Sequence, residues 1–414
     1  MIRSMSTALS GLRNHQVMLD VVGNDIANVS TVGFKSSTTV FSDVLTQTLQ
    51  GAGAPQPGLQ GGTNPAQIGL GSRLMATVQS FTQGSLQRTG RSTDLAIQGD
   101  GFFQVRTANE TMYTRGGALT LDSDGNLTTA EGFFVQGWQA DVTGAINTNL
   151  DTGPIQIRVG DNLNPNQSQN VVLGGNLSAD AAIGTATTLT LVGYDEQGTT
   201  TPINLTYTKT AANTWTVTGT YGPGNTAFAL TDNVLTFDGG GELIGPADHN
   251  INIAGGVIPG YPNPIVLDLG AAGSPGRVTQ FAGAASIAIT NQDGFAAGSL
   301  QSFSVGQDGV ISGTYSNGRT KAIGQLALAV FNNPQGLERV AGAWRPTVNS
   351  GEPQVGVAGT GGKGLLSAGT LEMSNVDLAE EFTRLIVAQR GFQGNARVIT
   401  TSDEVLQEVV NLRR

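Results

Sequence analysis

The chain has 414 residues, of which 59 are glycine, none is cysteine and 13% are charged. The lack of cysteine excludes a disulfide framework and a thiolate metal site, while the length admits two or three domains. A formal net charge of −10, with no basic patch carrying interleaved aromatics, excludes nucleic acid as a partner.

Charge is unevenly placed, with +1 on residues 1–40 and −2 on residues 371–414, which leaves −9 on the middle. Nearly neutral ends around an acidic body fit a self-packing core with a soluble exterior. At the N-terminus Met1, Met5, Ala8, Leu12, His15, Leu19, Val22, Ile26 and Val29 follow at steps of four and three. This is a heptad seam in which only His15 is out of character. The residues after Arg3 have neither a continuous apolar run nor a small-residue cleavage site, so no cleaved signal peptide is predicted. No apolar run approaches the length of a membrane span, and no membrane insertion is predicted.

Residues 28–35 break the helical period, and Gly33 there can supply a left-handed C-terminal conformation. Weak amphipathicity resumes over 40–49, and residues 51–71 read as a flexible linker of Gly, Pro, Gln and Asn. Strand-like alternation follows at 74–81, 95–105, 119–127 and 133–138, with turns at Asp100-Gly101 and Asp124-Gly125. A second β-rich region runs from about 151 to 270, with strands predicted over 187–192, 203–209, 215–221, 234–237 and 265–269. A third region, 286–357, returns to strands at 303–305, 310–315 and 322–331 before a glycine-rich stretch.

The last forty residues carry the matching seam. Leu378, Phe382, Leu385, Gln389, Phe392, Ala396, Ile399, Asp403, Leu406 and Val410 again alternate by four and three. Ser374 is the predicted N-cap, with Asp377, Glu380 and Glu381 in the opening turns and Arg413 and Arg414 at the far end, all suited to the helix dipole. A helix of roughly 40 residues would be about 60 Å long. Neither seam is buried by its own helix, so the two pair with each other or with copies. Gln389 is a candidate for fixing their register, or is merely tolerated.

Candidate chemistry is thin. The loop from Gly359 through Lys363 to Gly364 resembles a phosphate loop, but Val357 stands where the first glycine belongs and Gly364 where a hydroxyl is needed. Asp122, Asp124 and Asn126 around Gly125 resemble the start of a calcium loop, but Phe133 replaces the required Glu, so a turn is predicted. His15 and His249 are the only histidines and lack further zinc ligands by spacing. No nucleophile elbow occurs. The chain reads as a non-enzyme that holds no metal or cofactor.

Three blocks carry a family resemblance. The first is Ser10, Gly11 and Leu12 with Asn24, Asp25, Ile26, Ala27 and Asn28, then Thr31, Val32, Gly33, Phe34 and Lys35. The second runs from Asp94 through Gly99, Asp100, Gly101, Phe102 and Phe103 to Tyr113, Thr114, Arg115, Gly116 and Gly117. The third is Ser374, Asn375, Val376, Asp377 and Leu378 with Glu381, Phe382, Ala388, Gln389, Arg390, Phe392, Gln393, Ile399, Thr400 and Thr401. Together they resemble the rod and hook family of bacterial flagellar axial proteins, the hook members most closely. Length favours hook over rod, as do Ser316, Asn317, Gly318 and the run from Phe331 to Leu337. In physical terms, Asn24, Asp25 and Asn28 are poor helix formers suited to polar contacts, and Gly99 and Gly101 permit a tight turn before two phenylalanines that alternation sends to opposite faces.

The resemblance implies a mainly β fold with α-helical termini, in which nested β domains are inserted between N- and C-terminal helices that pair as a coiled coil. The expected division is 1–70 plus 366–414 as an inner core, 71–150 plus 286–365 as a shell, and 151–285 as an outer inserted domain. The implied function is a self-assembling tube around an export channel, acting as a universal joint between motor and filament. Implied partners are further copies, the distal rod, the hook cap, the hook-filament junction proteins and the export apparatus. The implied location is extracellular, in the flagellar basal body and hook. The assembly core is assigned to Met5, Leu12, Leu19, Val22 and Ile26, and to Leu378, Phe382, Leu385, Gln389, Phe392, Ile399 and Leu406. The alternatives are a distal-rod-like subunit, a β-rich surface adhesin or a carbohydrate-acting enzyme.

Overall fold

The computed structural model describes residues 2–55, 61–107, 110–271 and 273–411. Met1 of the first seam, Arg413 and Arg414 of the last, and residues 56–60 of the predicted linker therefore lie outside the described residues. The chain divides into two units: one comprises the residues up to Arg158, Phe303–Gly313 and those from Lys321 on, the other Val159–Ser302 and Thr314–Thr320.

In the first unit, helix α1 spans Ile2–Ala27 and packs against helix α2, Leu378–Asn411. Helix α2 spans 34 described residues, about 51 Å, and starts later than predicted. Asp377, not Ser374, caps it, its Oδ1 accepting the Ala379 N–H at 2.8 Å and the Glu380 N–H at 3.4 Å. Ser374 lies one turn too early, and its hydroxyl accepts the Val376 N–H instead. Helix α1 ends as predicted. Asn28 returns its side-chain amide to the Asn24 carbonyl at 2.8 Å, and Gly33 follows at φ +69°.

The predicted amphipathic stretch and linker form a paired ribbon instead. Ser37–Asp43 runs antiparallel to Ser72–Gln79, and Thr46–Gln50 antiparallel to Ala66–Gly69, with a further bridge between Gly53 and Thr63. The arms are rich in Thr and Val, which suit a pleated surface, and this outweighs the weak helical period.

Distant parts of the sequence close the β body of this unit. Leu95–Gln98 pairs with Leu365–Ala368, and Leu86–Arg88 with Thr370–Glu372. Phe134–Gln139 lies between Phe102–Arg106 and Thr320–Leu326. Phe102 and Phe103 are both buried. Phe102 meets Phe81, Phe331 and Trp344 at ring-centroid distances of 5.5, 5.9 and 5.5 Å, all in edge-on geometry favoured by aromatic quadrupoles.

The second unit has two sheets around one core. One contains Asn170–Asn176, Asn250–Ile253, Ile265–Asp268 and Ala288–Gln292; the other contains Ala186–Tyr194, Thr200–Ala211, Thr214–Tyr221 and Val234–Phe237. Alternate residues point inward, as with Ile203, Leu205 and Tyr207 on one strand and Trp215 and Val217 on its neighbour. The strands predicted here are all present. Asn170–Asn176 and Asn250–Ile253 were not legible, because Asn and Gly break their patterns.

Candidate assembly surface

The two terminal helices meet through small residues. A Cβ on Gly11 would lie 2.8 Å from the Asn395 amide nitrogen, and a Cβ on Gly391 would lie 2.4 Å from the His15 ring. Each helix thus offers a glycine to the larger side chain of the other. The pairs 11/395 and 15/391 also fix the helices as antiparallel. The Asn395 amide donates to the Gly391 carbonyl at 2.9 Å, and Asn14 reaches the Ser72 hydroxyl of the ribbon at 2.8 Å.

The structure divides the predicted seams. Val22 is buried, and Met5, Leu12, Leu19 and Ile26 are half-buried. On α2, Leu385, Phe392, Ile399 and Leu406 are half-buried on the side where Ala388 is fully buried. Leu378, Phe382 and Gln389 are exposed in the single chain, so Gln389 sets no register between these two helices. The buried line passes through Glu381, Leu385, Ala388 and Phe392 at the same steps of four and three, one position aside from Phe382 and Gln389.

What remains exposed is strongly apolar. Phe382 is 51% exposed and Val387 56%, and Leu378, Ile386, Val398 and Val410 lie open along the same helix. The ribbon likewise exposes Val44, Leu45, Leu49, Ile68 and Met75. The outer strands of the ribbon, Thr46–Gln50 and Ala66–Gly69, are exposed throughout, and a lone two-stranded ribbon is marginal in water, so both features call for a partner.

Behind this surface the quoted motifs converge on one residue that the motif reading missed. Glu372 is fully buried, and its Oε1 accepts from Lys35 Nζ at 2.7 Å and from the Gly84 N–H at 3.0 Å, while its Oε2 accepts from the Arg115 guanidinium at 3.2 Å. Lys35 also donates to the Thr82 carbonyl at 2.7 Å, and Arg115 to the Gly99 carbonyl at 2.8 Å. Burial holds both Lys35 and Arg115 below their ordinary values, opposed by Glu372. Asn375 closes the neighbouring loop. Its Oδ1 accepts the Ser36 N–H at 2.8 Å, and its amide donates to the Ser80 carbonyl at 2.8 Å. The signal for Glu372 was available, since Thr370 and Glu372 sit on the inward positions of a strand where a charge is out of place.

Gly33, Phe34, Gly99, Asp100 and Gly101 line the same region. Gly33 must be glycine, as a Cβ would come within 2.8 Å of the Arg115 carbonyl carbon. Phe34 is buried under the Arg339 guanidinium, 4.5 Å from its ring. Gly99 and Gly101 take φ +103° and +134° at the predicted turn. Ala27 closes α1, and Val376 lies between the junction and α2.

The turn around Gly125 is held by Asp122, whose Oδ1 accepts the N–H groups of Asp124 and Asn126 at 2.9 and 2.7 Å. Among the described residues no three His, Asp or Glu side chains gather as metal ligands, and no described helix is long and apolar enough to cross a membrane.

A β body with paired terminal helices and an exposed apolar face on α2 is the arrangement of a structural, self-associating subunit. The family descriptions agree in order along the chain. "Flagella basal body rod protein" matches 5–35 and "Flagellar hook protein FlgE/F/G D1 domain" matches 96–174. "Flagellar basal body protein FlaE D2 domain" matches 162–295 and "Flagellar basal body rod FlgEFG protein C-terminal" matches 367–412. The flagellar hook protein of Borreliella burgdorferi is 39% identical over 443 residues and that of Treponema pallidum 37% over 465, each covering 100% of both chains. A crystal structure of a Helicobacter pylori flagellar hook protein shares the fold at TM-score 0.55 and 13% identity, covering 69% of this chain and 100% of that one.

The chain belongs to the flagellar hook protein family. It is a self-polymerising structural subunit of the hook and not an enzyme. A Bacillus subtilis basal-body rod protein is 31% identical, with 100% coverage of both chains.

Proposed function

We propose that copies of this chain stack into a flexible helical tube enclosing the export channel, which bends as a universal joint while passing torque from motor to filament. The observation carrying this is the apolar stripe of α2 around Phe382 and Val387, which the chain's own α1 leaves uncovered. In this reading 1–70 plus 366–414 form the inner core, 71–150 plus 286–365 the shell, and 151–285 the outer domain. Seam residues from Met5 to Ile26 and from Leu378 to Leu406 supply the contacts of the core, Gln389 now facing a neighbouring copy. The distal rod, hook cap, junction proteins and export apparatus are the further partners. Electron microscopy of the concentrated protein tests this. A curved tube is expected, a straight rod would move the assignment to the rod, and dispersed particles at every concentration would refute assembly.

A further inference from the structure

We propose that the crossing of α1 and α2 is a proton-operated latch, closed while the Asp25 and Glu381 carboxyl groups hold one proton and opened by its loss to solvent. The proposal rests on the assembly reading above. Asp25, near the end of α1, is 0% exposed, and Glu381, in the first turn of α2, is 3% exposed. One oxygen of each is satisfied: Asp25 Oδ2 accepts the Ser37 N–H at 2.8 Å, and Glu381 Oε1 accepts from Arg384 at 2.9 Å. The other two, Asp25 Oδ1 and Glu381 Oε2, are buried without a hydrogen-bond partner. A bare carboxylate oxygen in a low dielectric is costly, and protonation of one carboxyl removes the charge and supplies a donor.

The surroundings do not neutralise two carboxylates. From α2 come Arg384, Glu380 and Asp377, from the strand Glu338–Val340 comes Arg339, and the ribbon contributes only the Ser37 N–H and the Thr38 hydroxyl, which lies 3.3 Å from Arg384. Arg384 is also engaged with Glu380, and Arg339 is stacked on Phe34. Four acids thus face two guanidinium groups. Burial, the largest influence, holds both Asp25 and Glu381 above the usual carboxylate range. Arg384 opposes this for both, while Asp25, Glu380 and Asp377 push Glu381 further up.

The sign follows from linkage. Carboxyls raised in the folded state bind a proton that the released ends give up, so the paired helices are most stable at acid pH. That stability is lost as pH rises from about 4, the ordinary carboxyl value, through the raised one.

The test is the critical concentration for polymerisation from about pH 4 upward for the full chain, Asp25→Asn and Glu381→Gln. The wild type is expected to need up to about tenfold more protein per pH unit within its window, and each variant to depend on pH less steeply, the remaining buried carboxyl still titrating. Asp25→Asn keeps an oxygen for the Ser37 N–H and gains a donor, so it preserves the fold. His15, also on the helix pair, is present in all three proteins, so their difference isolates the carboxyl pair. Equal pH dependence in all three overturns the latch. If none polymerises at any pH, the assembly reading fails instead. The infrared band of a protonated carboxyl in the soluble chain then decides: weaker in both variants than in the wild type supports the latch, and equal in all three overturns it.

Discussion

Replacing Glu372 by Gln removes the carboxylate that bridges two buried cations while keeping its shape. Lys35 and Arg115 side chains are 0% and 2% exposed, so neither can turn to water without opening the unit. Breaking a buried ion pair by removing one partner costs about 3–5 kcal/mol, and because both pairs share one carboxylate this range serves for the site as a whole. For a unit of this size each kcal/mol moves the midpoint by about 2–4 °C, which gives a fall of roughly 6–20 °C. Calorimetry of the soluble chain is the assay, with the transition of the second unit as internal control because its core contains no residue of the junction. The variant should also recover as pH rises from 7 toward 10. Lys35 is already held below its ordinary value by burial, and without Glu372 it releases its proton before the unfolded chain does, so stability climbs through that interval. A loss under about 1 kcal/mol, or a penalty independent of pH, would falsify the account of Glu372 as counter-ion to two desolvated cations.

Other expectations separate packing from propensity. Gly391→Ala should weaken the pairing of α1 and α2 despite a gain of about 1 kcal/mol in helix propensity, since its Cβ meets His15, whereas Gly394→Ala, with nothing within 4 Å, should strengthen α2. Amide exchange over residues 378–411 reads both. Phe102→Ala, in the aromatic cluster, should cost the first unit about 3–5 kcal/mol in urea unfolding, with the second unit unchanged. Phe382→Ser should leave thermal unfolding of the monomer intact and abolish polymers in sedimentation, because that ring is half exposed in the single chain. Asp122→Ala should cost about 1 kcal/mol by removing a turn acceptor, and added calcium should change nothing in either form.

Periodicity located both helices and most strands, since those signals are local: apolar residues every three or four, or every second, residue. It put Leu385, Phe392, Ile399 and Leu406 on one seam with Phe382 and Gln389; in the single chain the first four are half-buried and the last two exposed, because two adjacent lines of one helix share the same spacing and the period does not choose between them. Of the ribbon only the arm Ser72–Gln79 was legible, as the strand predicted over 74–81. Ser37–Asp43 finds its partner thirty residues on, across glycine-rich sequence that composition reads as slack. The polar junction lay further still from local signals. Lys35 and Arg115 were quoted only as letters of their motifs, and the residue that binds them stands 337 and 257 positions away.

That separation bears on when the molecule can become itself. Synthesis begins at the end carrying Lys35, yet the carboxylate answering it emerges from the ribosome only after nine-tenths of the polypeptide. Until then two cations are better hydrated than enclosed, and the edges at 86–88 and 95–98 lack the strands that seal them. A growing polypeptide of this design has little to gain from settling early, and its body closes nearly all at once when the last stretch arrives.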